Sequence, residues 1–494
     1  MLDFLLRAAR SEPDPLLSGE AALVWLDVER SDPAQWPARV SDALSAWLRK
    51  GRRRDTGARD AILALADACK TSYQSMCRQY LAGELTLSAD DPELRTRLQE
   101  YQRTLVSALD ALPDPLLARP DALALLLDSL NDQALWCYYR HQRTPSGFWA
   151  CAHRAYRLAE GAGQTQAVPA DGGATLHFRY LQLQLMSLVS GGNLSTRQLT
   201  VARQLVQRMP AMPELTHEPQ RGGFVVYLHR DAPPMRPLDD EGPSDGARFW
   251  HSSVVMDQLA LWRDAMEAGM RLPALADIAP QGVMTPGFMR LLGREWSSVR
   301  RFYRRAERVP LSGRVDVISR LASIHQLLSN TEEHPGETDT VLGWDGMNRS
   351  DSGVGVLLTG PGNNWVRLGR LLAYRTGTSE PWHIGMVRRI RREALYRLEV
   401  GIERMARPVP VVLKPLGGED WTSGLSPAVA RDGGVIALLV HSRTEHFRGM
   451  GVLLPRQCYR EGREVELVEW DSRQPVRLGR LLEQEAELVL AEVL

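Results

Sequence analysis

Lysine is almost missing from this chain. Among 60 cationic side chains only Lys50, Lys70 and Lys414 are lysines, so nearly all positive charge is arginine. Sixty carboxylates bring the formal net charge to zero. A protein that coats nucleic acid is basic overall, so this balance argues against a nucleic-acid partner and leaves basic character as a local feature. Cysteine is sparse: Cys69, Cys77, Cys137, Cys151 and Cys458 include no CxxC pair and no zinc spacing with histidine. An odd, scattered set suits a reducing compartment. Long apolar runs are missing as well. A membrane-spanning helix needs about 18 or more consecutive apolar residues, and the apolar run in MLDFLLRAARSEPDPLL at the N-terminus is too short for a secretory signal. The expectation is a cytoplasmic protein with no membrane insertion.

Catalytic patterns are missing too. There is no Gly-x-Ser-x-Gly and no HExxH. His229-Arg230-Asp231 has the letters of a kinase catalytic triplet, but two prolines follow within three residues and no asparagine stands at the required offset. Gly360-Pro361-Gly362 lacks the strand-to-helix setting of a phosphate loop. His325, Glu332, Glu333 and His334 match no zinc spacing and read as a solvated loop. No nucleophile, base and orienting group come together, so neither an enzyme nor a bound metal or cofactor is expected.

What is present is ordinary globular material, 44% hydrophobic and 24% charged in 494 residues, enough for two to four domains. Residues 1–212 read as helices joined by short polar turns. Asp32-Pro33 offers an N-cap and a helix-starting proline, after which Trp36, Val40, Leu44 and Trp47 recur at helical spacing. Ile62, Leu65, Cys69, Tyr73, Met76 and Tyr80 do the same. Further helices are expected near 93–112, 120–140, 144–163, 174–190 and 195–209. No strict repeat period is found. These stripes are core material, and a groove between the helices is where a protein partner would bind. Residues 213–295 read as a mixed α/β linker region, with a strand at 222–230, a Pro/Gly/Asp loop at 231–246 and helices near 253–268 and 284–300.

After 308 the texture turns to β. VDVIS (315–319), GVGVLL (353–358), WVRLGRLLAYR (365–375), WHIGMVRRI (382–390) and LYRLEVGIE (395–403) predict short strands of a small antiparallel barrel over 296–410. The tail, 411–494, repeats the pattern and either extends that barrel or forms a second β module. The fold class is therefore α+β multidomain: an all-α helical-hairpin region, then a β-barrel and a C-terminal β extension.

One stretch concentrates charge. RRFYRRAERVP (300–310) holds five arginines in eleven positions. The guanidinium fork pairs bidentately with phosphate, matches the O6/N7 edge of guanine and stacks on a purine. Two or three charged hydrogen bonds with stacking reach micromolar affinity, about 8 kcal/mol. Forty residues later stands NRSDSGVGV (348–356), an N-x-S-x-x-G pattern of Asn348, Ser350 and Gly353 where a strand begins.

Together these pieces resemble the PilZ domain, a bacterial receptor module for cyclic di-GMP, whose pattern is R-x-x-x-R followed by (D/N)-x-S-x-x-G. Arg304 and Arg308 fill the first motif with Val309-Pro310 after them, although Arg300/Arg304 and Arg301/Arg305 share the spacing. Asn348, Ser350 and Gly353 fill the second. Gly369, the Trp382-Gly385-Val387 spacing and Gly401-Ile402-Glu403 also look like later PilZ strands. The resemblance covers about 296–410. It implies that Arg304 and Arg308, with Arg301 and Arg305 beside them, hold phosphates and guanines. Asn348 and Ser350 would touch a guanine edge while Gly353 leaves room. The implied role is a cyclic di-GMP receptor that changes interdomain or partner contacts on binding. The alternative is a degenerate PilZ-fold assembly protein that binds no nucleotide. The span from Arg308 to Asn348 is longer than the family pattern, and an insertion within 311–345 would either cover the ligand face or make another contact.

Overall fold

The computed structural model describes residues 15–28, 35–51, 56–86, 92–170, 172–219, 223–237, 246–278, 283–298, 307–329, 340–394, 396–416, 430–431, 433–444, 447–470, 472–484 and 487–494. Two compact units emerge, one of residues 1–190, 196–278 and 289–300, the other of 191–195, 279–288 and 301–494.

In the first unit the apolar periodicity becomes helices. They are α1 (Gly19–Val28), α2 (Trp36–Lys50), α3 (Thr56–Thr86), α4 (Pro92–Asp110), α5 (Pro120–Tyr139), α6 (Phe148–Gly161), α7 (Leu176–Leu188) and α8 (Thr196–Gln207). The proposed start at Asp32-Pro33 lies outside the described residues; α2 carries Pro37 in its first turn and stops at Gly51, whose φ of 65° lets its N–H reach Leu48 O. Val40, Leu44 and Trp47 are buried, as are all six residues of the stripe from Ile62 to Tyr80. No helix among the described residues is long and apolar enough to cross a membrane.

Residues after 212 complete this unit's core. Strands β1 (Phe224–Tyr227) and β2 (Ala247–Trp250) pair antiparallel and are wholly buried, with Phe224 stacked on Trp250 at 4.5 Å. Arg248 grips Glu160 of α6 through two nitrogens at 2.8 and 2.5 Å. Asp231, the acid of the kinase-like triplet, accepts from the backbone N–H groups of Gly147, Trp149 and Ala150 at 2.6, 2.9 and 3.1 Å. It therefore caps α6 across the fold, filling donors that a helix leaves open. Helices α9 (Ser253–Glu267) and α10 (Pro286–Trp296) follow, and Trp296 donates to Leu185 O at 2.9 Å.

The second unit is two barrels. Strands β3 (Val309–Pro310), β4 (Arg314–Ile318), β5 (Leu342–Ser350), β6 (Gly353–Thr359), β7 (Leu371–Arg375), β8 (His383–Ala394) and β9 (Arg397–Arg404) form one antiparallel sheet. Its order is β3-β5-β4-β7-β8-β9-β6, and the extra β5–β6 pairing closes it. Val315, Val317, Trp344, Val356 and Val400 fill its interior. The strand expected over 365–375 begins only at Leu371: Asn363–Trp365 is a 3₁₀ turn, and Gly369 at φ 75° bends the chain while its N–H bonds Val387 O. The tail forms its own barrel from β10 (Val409–Pro415), β11 (Ala430–Arg431), β12 (Gly434–Thr444), β13 (Phe447–Pro455), β14 (Glu464–Glu469), β15 (Ser472–Gln484) and β16 (Leu488–Val493), closed by β10–β12.

The two closed rings share one topology. In chain order the ring strands are β4 to β9 in the first and β10 and β12 to β16 in the second. In each, the neighbours around the ring run first, second, third, sixth, fifth, fourth. Between the barrels lies α11 (Leu321–Ser329), whose Ile324 and Leu327 join Leu371, Ile384, Leu438 and Leu453 in a shared apolar cluster. The 311–329 part of the supposed insertion is thus a barrel strand and a packed helix; 330–339 lie outside the described residues. His325 on α11 is buried against Val411 O at 3.2 Å, Glu332, Glu333 and His334 lie outside the described residues, and no metal-holding cluster exists among the described residues.

Candidate functional site

The site lies at one end of the first barrel, where β3 lies against the end of β5. Val309 pairs with Arg349 and Pro310 with Asn348, so Arg308 directly precedes the residue paired with the one between Asn348 and Ser350. Proline is tolerated because β3 is a short edge strand. Ser350 in turn pairs with Gly353 across the β5–β6 turn. The structure therefore brings Arg308, Asn348, Ser350 and Gly353 together although they are far apart in sequence. Arg301, Arg304 and Arg305 lie outside the described residues.

Each group at this corner has a physical reason to be there. Gly353 has φ 153°, and a Cβ there would sit 2.0 Å from Ile402 O, so no other residue fits without moving β9. Ser350 Oγ lies 3.0 Å from Ser352 Oγ, which steadies the turn. The part-buried Asn348 lies over Gly355, where an added Cβ would be 2.9 Å from Oδ1 and 3.1 Å from Nδ2. Gly355 therefore makes room for the carboxamide. Asn348 has no hydrogen-bond partner for that carboxamide among the described residues, which leaves one donor group and one acceptor open to a ligand.

The face beside Asn348 carries little side chain. Val354, Val356, Val400 and Ile402 point into the core, so by strand alternation Gly353 and Gly355 on β6 and Gly401 on β9 share the outer face. Gly355 and Gly401 are direct cross-strand partners. Arg308 is exposed and forms no ion pair among the described residues.

Charge gathers around the turn. Strands β5 and β7 both run antiparallel to β4, so their C-terminal ends emerge together and bring loop 376–382 beside Arg349. There Arg349 Nη1 meets Glu380 Oε1 at 3.3 Å, and Thr376 Oγ1 donates to Glu380 Oε2. The Thr376 hydroxyl, helped by the Arg349 charge, holds the Glu380 carboxyl below the usual carboxylate range. Burial, with the Arg404 charge, pushes the nearby His383 imidazole down. Gly355, Arg349 and Glu380 were missed in the sequence; the alternate glycines of Gly353-Val354-Gly355 were the available signal for the first of them.

This arrangement offers an open carboxamide, a serine hydroxyl and a free guanidinium at the edge of a flat face. Groups of this kind suit an anionic ring compound. Residues 21–219 match a family model, that of the cyclic-di-GMP receptor FimW, N-terminal domain. No curated protein matches the chain. The matched stretch falls on the helical region, outside the barrel that carries the arginine and N-x-S-x-x-G motifs.

Proposed function

We propose that this protein is a receptor for cyclic di-GMP, bound at the end of its first barrel. Arg308 and Arg304, with Arg301 and Arg305 nearby in sequence, pair with the phosphates and stack on or pair with the guanines. Asn348 and Ser350 meet a guanine edge, and Gly353 leaves room for the ring. What supports this reading is the β3–β5 register, in which Val309, the neighbour of Arg308, pairs with Arg349, the residue between Asn348 and Ser350. The match of 21–219 to a receptor's N-terminal domain supports the same ligand class. Binding alters contacts of the barrels with the helical region or with a protein partner held by the helices. The shift it causes equals the ligand's differential affinity for the two states. The protein acts in the cytoplasm and does no chemistry on the nucleotide.

Titration of cyclic di-GMP into the wild type, Arg304→Ala and Arg308→Ala tests the site. Each variant is expected to bind at least tenfold more weakly, since a hydrogen bond to a charged group contributes about 1.5–3 kcal/mol. Equal affinity in all three rejects the assignment. A rise in thermal midpoint with cyclic di-GMP and none with GMP supports a receptor; no rise with either favours a ligand-independent assembly protein.

A further inference from the structure

Arg349 occupies the variable position between Asn348 and Ser350. Its backbone pairs with Val309, one residue from Arg308. Its side chain is 53% exposed, and the single contact to a 41% exposed Glu380 is long for a charged hydrogen bond, at 3.3 Å. Among the barrel's other arginine–glutamate pairs, Arg388 with Glu403 and Arg397 with Glu393 close to 3.0 Å, and Arg391 with Glu399 stays at 3.7 Å. Glu380 is held more firmly by Thr376 than by Arg349, so the carboxylate is fixed from the loop side and the guanidinium is the member free to leave. An exposed pair of this sort has little stability of its own. A phosphodiester carries the same single charge as a carboxylate, but its two free oxygens accept the guanidinium fork bidentately, whereas Glu380 meets Arg349 through one oxygen.

We propose that Arg349 is a further ligand-binding guanidinium of this site and that Glu380 is an internal competitor which occupies it until a phosphate arrives. Resting on the receptor reading, this deepens it: the ligand must bring an anionic phosphate to the β5 end, and binding releases loop 376–382 from its tie to β5. Glu380 then sets affinity by subtraction, lowering it for every anionic ligand and selecting against weakly charged ones.

The experiment is calorimetric titration of cyclic di-GMP into the full chain as wild type, Arg349→Ala, Glu380→Gln and the double variant. Arg480→Ala serves as control, since Arg480 is exposed on the second barrel in a 3.4 Å pair with Glu492. The expected results are binding about tenfold weaker for Arg349→Ala and about threefold tighter for Glu380→Gln, a gain that shrinks as salt is raised. The double variant should match Arg349→Ala, because Glu380 acts through Arg349. Wild-type affinity in Arg349→Ala, or tightening by Glu380→Gln that persists without Arg349, overturns the proposal while the receptor reading stands. A wild type that does not bind the nucleotide overturns both. Unliganded thermal midpoints are expected to stay level across the set, which separates these outcomes from loss of fold.

Discussion

Gly355→Ala is the sharpest probe of the candidate corner, because it changes a residue that meets no ligand in the proposed geometry except through Asn348. The new methyl would lie 2.9 Å from Asn348 Oδ1 and 3.1 Å from Nδ2, inside ordinary van der Waals contact of about 3.5 Å. Those atoms are the far end of a side chain with no partner among the described residues, so the carboxamide turns away rather than the strands parting. The turn removes both hydrogen bonds it would give a guanine edge. Neutral hydrogen bonds contribute about 1 kcal/mol each, so the loss is about 2 kcal/mol, roughly thirtyfold in affinity. The fold gains instead: alanine loses less backbone freedom in a strand than glycine, a benefit of about 0.5–1 kcal/mol. Calorimetric titration with cyclic di-GMP, alongside thermal unfolding without ligand, reads both effects. Asn348→Ala should show the same loss, and the double variant no more than either alone. Wild-type affinity in Gly355→Ala, with Asn348→Ala impaired, would refute the claim that the glycine acts by seating the carboxamide.

Three predictions concern what holds each unit together internally. His153 is fully buried, Nε2 donating to Ala232 O at 3.0 Å and Nδ1 accepting from Tyr180 at 2.7 Å, and burial pushes its pKa down from 6.5 to about 4. The neutral form is the folded form, so its contribution is full above pH 6.5 and falls as pH drops toward 4, by about 3 kcal/mol in total; urea unfolding across that window should show the fall in wild type and not in His153→Gln. Burial raises the Asp231 pKa, but the Gly147, Ala150 and Trp149 N–H groups outweigh it and leave the carboxyl below its usual value. Asp231→Ala should lower stability of the helical unit by about 1–2 kcal/mol, measured by urea unfolding at neutral pH. Ile324→Ala opens the cluster between the barrels, where Ile324 is fully buried, and should cost about 3 kcal/mol in unfolding followed by tryptophan fluorescence.

The helices were legible because their cores are striped: Ile62, Leu65, Cys69, Tyr73, Met76 and Tyr80 are all buried on α3, and periodicity reads burial directly. The barrel strands were legible for the same reason, through Val354, Val356 and Leu358. Leu371–Arg375 was overextended to 365 because Gly369 breaks a run whose apolar content continues across it. The sheet at 224–250 looked like part of a linker, since a proline-rich loop lies between its strands and pairing at that separation leaves no local trace. The site divides in the same way. Asn348, Ser350 and Gly353 could be read as a short motif, but Glu380 meets Arg349 only because two strands run parallel across β4, and no spacing encodes that.

The repeated topology explains why only one barrel carries the corner. In the second ring the turn equivalent to β5–β6 joins β12 to β13, with Thr444 paired to Phe447 where the first has Ser350 paired to Gly353. Gly353 must be glycine because its φ of 153° would aim a Cβ at Ile402 O of β9, which lies alongside β6 at that point, Gly353 pairing with Glu403. Strand β13 meets β16 only from Gly451 onward, four residues past Phe447. The glycine is a consequence of how far the third strand reaches, and that reach supplies the broad, bare face beside Asn348. A receptor built on this ring thus needs the longer β6–β9 pairing before it needs the motif. Grafting Asn, Ser and Gly onto 442, 444 and 447 should leave the second barrel without affinity for the nucleotide, as titration of a variant also carrying Arg308→Ala and Asn348→Ala would reveal. Nucleotide binding by that variant would show that three residues suffice and that strand length is incidental.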